Sequence, residues 1–438
     1  MSFGKKKSVG AGVRAALLAG ATIAALAVGG LGASGASAAV VCTGSNIVGQ
    51  GSSLQKNAQQ NIWAPAFAGE ICNKGTHPTV SYESTGSGAG LKEWNSDGSR
   101  GSLNHERQFI GTDDAPTTEQ IGNITGVAGG AKLLVIPVAQ TAISIVANPP
   151  AGCTVSAITN QDLSLVFRGN DTTWSKLVTA EGSCNSPITR VVRKDGSGTT
   201  YQFKNYLFQI YPGGLPCTTG GTEGKASWKE LEPISNTVTG APNTTWPESC
   251  VGKTLSTVER PAGTGGGEVV KKVNATEGSI GYASLPDAKS NAADTILQVQ
   301  NNGQKPVGEA TFADPASGTL ANCGGTSYSV PVNAQNKVGS TGFDVDWSQV
   351  FGGFPGVGGT SYPICTLTYD LAFHGYQAAG FVFKNESTVH DYLTEYVVQG
   401  GQTSLVTAGG FYSPLPTSTK KPNDVLGSAQ WVAKKINW

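Results

Sequence analysis

The residues with the most chemical meaning sit in four short loops of one grammar. They are Gly49-Gln50-Gly51-Ser52-Ser53-Leu54, Ser84-Thr85-Gly86-Ser87-Gly88-Ala89-Gly90, Gly111-Thr112-Asp113-Asp114-Ala115-Pro116 and Arg193-Lys194-Asp195-Gly196-Ser197-Gly198-Thr199-Thr200. Each puts small hydroxyl and glycine residues between a strand pattern and a helical one. The chemistry this favours is capture of an oxyanion. A helix start carries unpaired N–H groups and partial positive charge. Glycine lets the backbone approach an anion with no Cβ in the way. Serine and threonine hydroxyls add donors, and Arg193 adds a charged, forked one that Asp195 can hold in position. One such loop is an ordinary turn; four in one chain, one with an embedded arginine, favour an anion site.

Asp114 looks misplaced among donors unless the ligand carries a proton, because a carboxylate can then accept an O–H bond. Phosphate keeps a proton at neutral pH and sulfate does not, so the same carboxylate would repel sulfate. The competing role for Asp114 is a turn cap before Pro116. The chain offers little for catalysis. Its histidines, at 77, 105, 374 and 390, form no zinc-type cluster, and the mature chain has no G-x-S-x-G elbow. No histidine lies near Ser87 or Ser197 in sequence to activate either one. The expectation is a binding protein with no catalytic residue, no metal and no cofactor.

These loops need strands and helices to hold them. Short runs rich in β-branched or aromatic residues predict strands at Thr79–Tyr82, Leu133–Val138, Ala142–Ala147, Ile188–Arg193, Ser279–Tyr282 and Gly380–Phe383. Leu54, Ala58 and Ile62 share a helical face within Ser53–Phe67, as do Phe203, Tyr206, Leu207 and Ile210 within Thr199–Ile210; Gln161–Phe167 is a shorter helix. Strands alternating with helices imply an α/β fold. Residues 212–267 and 301–359 read as loop-rich.

The 438 residues suit two or three domains of ordinary size. Thirty basic residues balance 30 acidic ones, which argues against a nucleic-acid partner, and 38% hydrophobic residues argue against disorder. Lys5, Lys6, Lys7 and Arg14 precede an apolar run over Ala15–Leu31, and Ala36-Ser37-Ala38 fits a cleavage site. Residues 1–38 therefore read as a cleaved signal peptide, with an extracytoplasmic destination in the periplasm, the cell wall or the medium. Val41, directly before Cys42, is not the small residue that a lipid-anchor signal needs. The mature chain holds Cys42, Cys72, Cys153, Cys184, Cys217, Cys250, Cys323 and Cys365 without a C-x-x-C pair. In an oxidising compartment these read as disulfides. Neighbour pairing, 42–72, 153–184, 217–250 and 323–365, is the simplest of the possible maps.

In order along the chain, these motifs resemble the extracytoplasmic phosphate-binding proteins of phosphate ABC importers, the PstS type. Gly49–Leu54 is similar to that family's G-x-G-[AS]-[ST]-[FL] loop. Tyr82–Gly90 is similar to Y-x-S-x-G-S-G-x-G, Phe109–Pro116 to F-x-[AG]-[ST]-D-A-P, and Arg193–Thr199 to R-x-D-G-S-G-T. Leu163–Gly169, Thr173-Trp174, Glu277–Tyr282, Tyr362-Pro-Ile and Gly409–Pro416 also resemble family segments. The resemblance covers most of residues 45–285 and, more loosely, 360–438.

It implies a two-lobed α/β fold with a ligand cleft between the lobes: lobe I from residues 39–138 and 284–438, lobe II from 139–283. It implies phosphate contacts from Ser53 and the Leu54 amide, from Ser87, from Asp114 as acceptor, and from Arg193, Ser197, Gly198 and Thr199, with Asp195 steadying Arg193. Asp113 stands where the family usually has serine. The function implied is capture of inorganic phosphate by a monomer serving a membrane permease. A secreted scavenger or sensor uncoupled from transport is the alternative, and a secreted phosphatase is a more distant one.

Overall fold

The computed structural model describes residues 41–438 apart from 170, 172, 211–214, 220–221, 227–243, 245, 247–254, 259–264, 354, 420–423 and 438. The proposed signal peptide and Cys250, and with it the 217–250 pair, lie outside the described residues.

A large mixed sheet organises the chain. Strand β1 (Ile47–Gly51) pairs in parallel with β2 (Val80–Ser84) and β3 (Phe109–Thr112). Strand β4 (Lys132–Asn148) is long and is buried at every position but its two ends. Its continuous apolar run suits a strand covered on both faces. Beyond it, β5 (Thr189–Arg193) pairs in parallel with β6 (Leu255–Val258) and β7 (Ser279–Ser284). Strand β7 and β8 (Thr295–Gln300) run antiparallel to the second half of β4, and β9 (Cys365–His374) runs antiparallel to β3 and to the first half of β4. The path through the sheet is β6-β5-β7-β4-β9-β3-β1-β2.

The structure departs from the sequence reading in two strands. Leu133–Val138 and Ala142–Ala147 are halves of the single strand β4. Pro137 lies within it, where the β4–β9 register shifts between Thr368 and Tyr369. A bulge tolerates a residue with no N–H to give. Gly380–Phe383 is not a strand. Gly380 has φ +87°, Phe383 opens a helix (Phe383–His390), and Phe381 packs edge-on against Tyr376 in an aromatic cluster. Of its apolar residues only Phe381 is buried; Val382 and Phe383 are exposed.

The helices follow their patterns more closely. A helical run covers 58–71, and α1 (Ser87–Glu93) and α2 (Thr118–Gly126) follow β2 and β3. Helix α2 begins with a full capping box in which Thr117 and Gln120 satisfy each other's amides. Helix α3 (Asn160–Arg168) is capped by Thr159 and ends at Gly169 in the left-handed region. Helix α4 (Gly198–Ile210) leaves the fourth loop, and α5 (Gly266–Asn274) and α6 (Leu285–Ser290) flank β7.

The fold is the mixed α/β, two-lobed architecture expected. One hydrophobic cluster gathers Trp63, Phe109, Leu133–Ile136, Trp347 and Leu371; a second gathers Ile143, Ile145, Phe167, Phe203, Tyr282 and Leu297. Strand β4 passes from the first to the second. The lobe limits themselves are our proposal, and the packing amends one of them. Leu285, Leu297, Val299, Ala313, Ala321 and Cys323 pack with the second cluster, although the sequence reading put everything after 283 in lobe I. The reason is β8, which extends the second half of β4 instead of returning to the first lobe. Disulfides join Cys42 to Cys72, Cys153 to Cys184 and Cys323 to Cys365, each within one cluster.

Candidate oxyanion site

Because β1, β2 and β3 are parallel neighbours, their C-terminal loops emerge at one edge of the sheet, the usual place for a ligand in such sheets. The loops bond to one another there. The Gly86 amide donates to the Gly51 carbonyl at 2.6 Å, and the Ser52 amide to the Gly111 carbonyl at 2.8 Å. The Asp113 amide donates to Ser87 Oγ at 3.1 Å. Gly86, the residue before α1, has φ +95°, a conformation that favours glycine.

The fourth loop, from β5, meets these three. The Gly88 amide donates to the Gly196 carbonyl at 3.3 Å. Gln202 Nε2 donates to the Asp113 carbonyl at 2.9 Å, and Thr199 Oγ1 to Asp113 Oδ2 at 3.2 Å. Gly198 lies so close that a Cβ there would be 2.7 Å from the Asp114 amide nitrogen and 2.7 Å from its Oδ1. The four loops singled out from sequence therefore form one buried cluster.

Asp113 is its hub. Besides Thr199, Ser52 Oγ donates to Oδ1 at 2.5 Å and Thr368 Oγ1 donates to Oδ1 at 2.9 Å. Burial pushes its carboxyl pKa up, while the three hydroxyls and the Arg193 charge pull the other way. Asp114 lies beside it and accepts from Thr112 Oγ1 at 2.9 Å. Burial, helped by the Asp113 charge, raises the Asp114 pKa to about 7; hydrogen bonds from Thr112 and Ser87 oppose the rise.

Arg193 is 2% exposed and forks onto Asp195, with Nε to Oδ1 at 2.7 Å and Nη2 to Oδ2 at 2.5 Å. The Asp195 pairing expected from sequence is present, and it raises the arginine pKa against the opposing effect of burial. Nη1 has no partner among the described residues, nor do the amides of Gly198 and Thr199 at the start of α4. Ser197 Oγ accepts from the Thr200 amide at 3.2 Å, capping the same helix.

Ser53 and Leu54 are placed differently from one another. Ser53 Oγ accepts from the Gly266 amide at 3.2 Å, so it meets the start of α5 from the other lobe. The Leu54 amide, expected to donate to a ligand, donates to Ser52 Oγ at 3.1 Å in this geometry. A pocket of about 170 Å³ opens beside Ser53, lined also by Lys56, Lys271, Asp287 and Asn291.

Sequence reasoning missed Thr368, Gln202 and Asp287. Thr368 is 255 positions from Asp113 and reaches it only because β9 pairs with β3. Gln202 lies one turn into α4, which puts it near the loop it contacts. Asp287 sits in a Leu-Pro-Asp stretch that carries no local sign of burial. Its carboxylate accepts from Ser284 Oγ at 2.9 Å; burial raises its pKa to about 7, against the lowering effects of Ser284, Arg193 and Lys56. The four histidines bond elsewhere: His77 to the Cys72 carbonyl, His105 to that of Ala379, His374 to that of Lys435, and His390 to Asp391.

A family profile described as "PBP superfamily domain" matches residues 36–334. The chain belongs to the PBP superfamily. Solved structures with a similar fold include phosphate-binding proteins. The high-affinity periplasmic phosphate-binding protein PfluDING, solved with phosphate, is 21% identical with TM-score 0.54, over 85% of this chain and 91% of that one. The phosphate-binding protein of Stenotrophomonas maltophilia is 16% identical with TM-score 0.57, over 88% of this chain and 93% of that one. At these identities the likeness is one of fold. Alkaline phosphatase L of Pseudomonas aeruginosa is 26% identical over 227 residues, which are 51% of this chain and 54% of that protein. This PBP-superfamily chain thus spans about half the length of that curated relative. Among the described residues, no helix is long and apolar enough to cross a membrane.

Proposed function

We propose that this chain captures inorganic phosphate between its lobes, outside the cytoplasm, and delivers it to an ABC permease. One observation carries the reading: loops from both lobes converge on the Asp113–Asp114 pair, with the Arg193 guanidinium and the start of α4 beside them. In this reading Arg193 Nη1 and the Gly198 and Thr199 amides bind the phosphate oxygens. The hydroxyls of Ser53, Ser87 and Ser197 add donors, and the Leu54 amide exchanges Ser52 for the ligand. Asp195 holds the guanidinium fork, so little side-chain order is lost on binding. Asp114 accepts the ligand proton and rejects a fully ionised oxyanion.

Calorimetry on the mature chain tests this directly. Phosphate should bind tightly and sulfate poorly, and absence of heat with phosphate overturns the reading. Coupling to transport is a separate matter. Growth on limiting phosphate should fail when the chain is deleted, whereas a secreted scavenger would leave uptake intact. A hydrolase reading draws on the name of one curated relative. It finds little support in a site whose serines bond to backbone amides while the four histidines bond elsewhere.

A further inference from the structure

A second cavity, of about 390 Å³, lies between the C-terminal half of α4 and the loop-rich segment 301–359. None of its lining residues belongs to the oxyanion cradle, which sits at the other end of the same helix. Asn205, Val350 and Gly353 are its buried residues, Phe208, Gln209 and Phe351 are half-buried, and Ser329 and Gln349 stand at the exposed rim. Asn205 is only 5% exposed, yet its Nδ2 has no hydrogen-bond partner among the described residues. Buried amide nitrogens are rarely left without an acceptor, so this wall residue holds an unmet donor next to the cavity.

We propose that this cavity is a second binding site, for a neutral polyhydroxylated molecule of mono- or disaccharide size. The chemistry of its walls decides the class. Among the described residues no charged side chain lines it, so an anion, a zwitterion or a nucleotide would meet no countercharge. The negative end of the α4 dipole points toward this end of the helix and disfavours anions further. Asn205, Gln209 and Gln349 each carry a carboxamide, which both donates and accepts and so matches vicinal hydroxyls. Phe208 and Phe351 add apolar lining that suits the C–H surfaces of a sugar ring. The volume falls in the ~300–1,000 Å³ range of small-molecule sites.

The test uses the mature chain saturated with phosphate and titrated calorimetrically with maltose and with N-acetylglucosamine, and with glycylglycine as a zwitterion of similar reach. At least one sugar should bind with a millimolar or lower Kd, and glycylglycine should not. Asn205→Leu should weaken sugar binding at least tenfold. Ser329→Trp, which fills the exposed rim and leaves the buried wall untouched, should do the same. Both variants should keep phosphate binding. The proposal is overturned if neither sugar binds, if glycylglycine binds as well as the sugars, or if sugar binding survives Ser329→Trp.

Discussion

At the residue scale the centre of the site is crowded with acid. Asp113, Asp114 and Asp287 are all buried, and the nearby arginine already shares its charge with Asp195. An anion enters such a place only if donors outnumber the repulsions, which makes Arg193 the residue whose loss costs binding most. Arg193→Met should weaken phosphate binding by about 2–3 kcal/mol, roughly 30- to 150-fold, because a charged hydrogen bond is lost and Asp195 is left unpaired. Arg193→Lys should recover only part of that, since an ammonium cannot fork onto Asp195 and a ligand together. The two neighbouring acids can be told apart by selectivity. Asp114→Asn should narrow the preference for phosphate over sulfate at least tenfold. Asp113→Asn should leave that ratio nearly unchanged, because Asp113 spends its oxygens on Ser52, Thr199 and Thr368. Competition titrations with both oxyanions read out the difference. Equal ratios in wild type and Asp114→Asn would remove that residue from the selective role.

At the scale of elements, the site works because strands end where helices begin. Strands β1–β3 deliver three loops in parallel and β5 delivers the fourth, and glycine at the contact lets them meet. Gly198→Ala should push a methyl into the Asp113–Asp114 backbone, costing about 1–3 kcal/mol of stability and weakening phosphate binding in parallel. Calorimetry and a melting curve on the same sample should show both losses together. The disulfides should act on stability and leave binding unchanged. Cys153 and Cys184 are 31 positions apart within one hydrophobic cluster, so the paired change Cys153→Ser/Cys184→Ser should cost about 3 kcal/mol. Its phosphate affinity should match wild type, because the hydrogen bonds of the two cysteines run to Pro150, Glu181 and Gly182 and not to the four loops. An affinity change above a few-fold would show that this bond does more than brace its own cluster.

For the whole molecule, the buried acids tie stability to pH with a definite sign. Burial raises Asp114 and Asp287 to about 7 and Asp370 to about 8, above the ~3.9 of an exposed aspartate. Folding therefore favours their protonated forms. The stability this contributes is complete below about pH 4 and is lost as pH rises through 7 to 8. The melting temperature without added oxyanion should fall between roughly pH 4 and 8, and Asp370→Asn should flatten part of that fall. Scanning calorimetry across the range checks both. A melting temperature that rises over the interval would mean that these carboxyls are ionised in the folded chain.

The amino-acid sequence by itself determined the four donor loops, the alternation of strand and helix, and the helices read at Gln161–Phe167 and Thr199–Ile210. Those features are legible because glycine, hydroxyl and apolar spacings act over a few residues. The local Arg193–Asp195 pair was legible for the same reason. Tertiary structure decided everything that depends on distant partners. It made Asp113 the hub by bringing Thr368 across from β9, buried Asp287 against the start of α5, and merged two predicted strands into β4. It also placed Leu285, Leu297, Val299, Ala313, Ala321 and Cys323 on the second hydrophobic cluster, with β8 pairing to β4. A carboxylate's role is set by the donors around it, and those donors came from segments far apart in the chain, whose meeting no local pattern encodes.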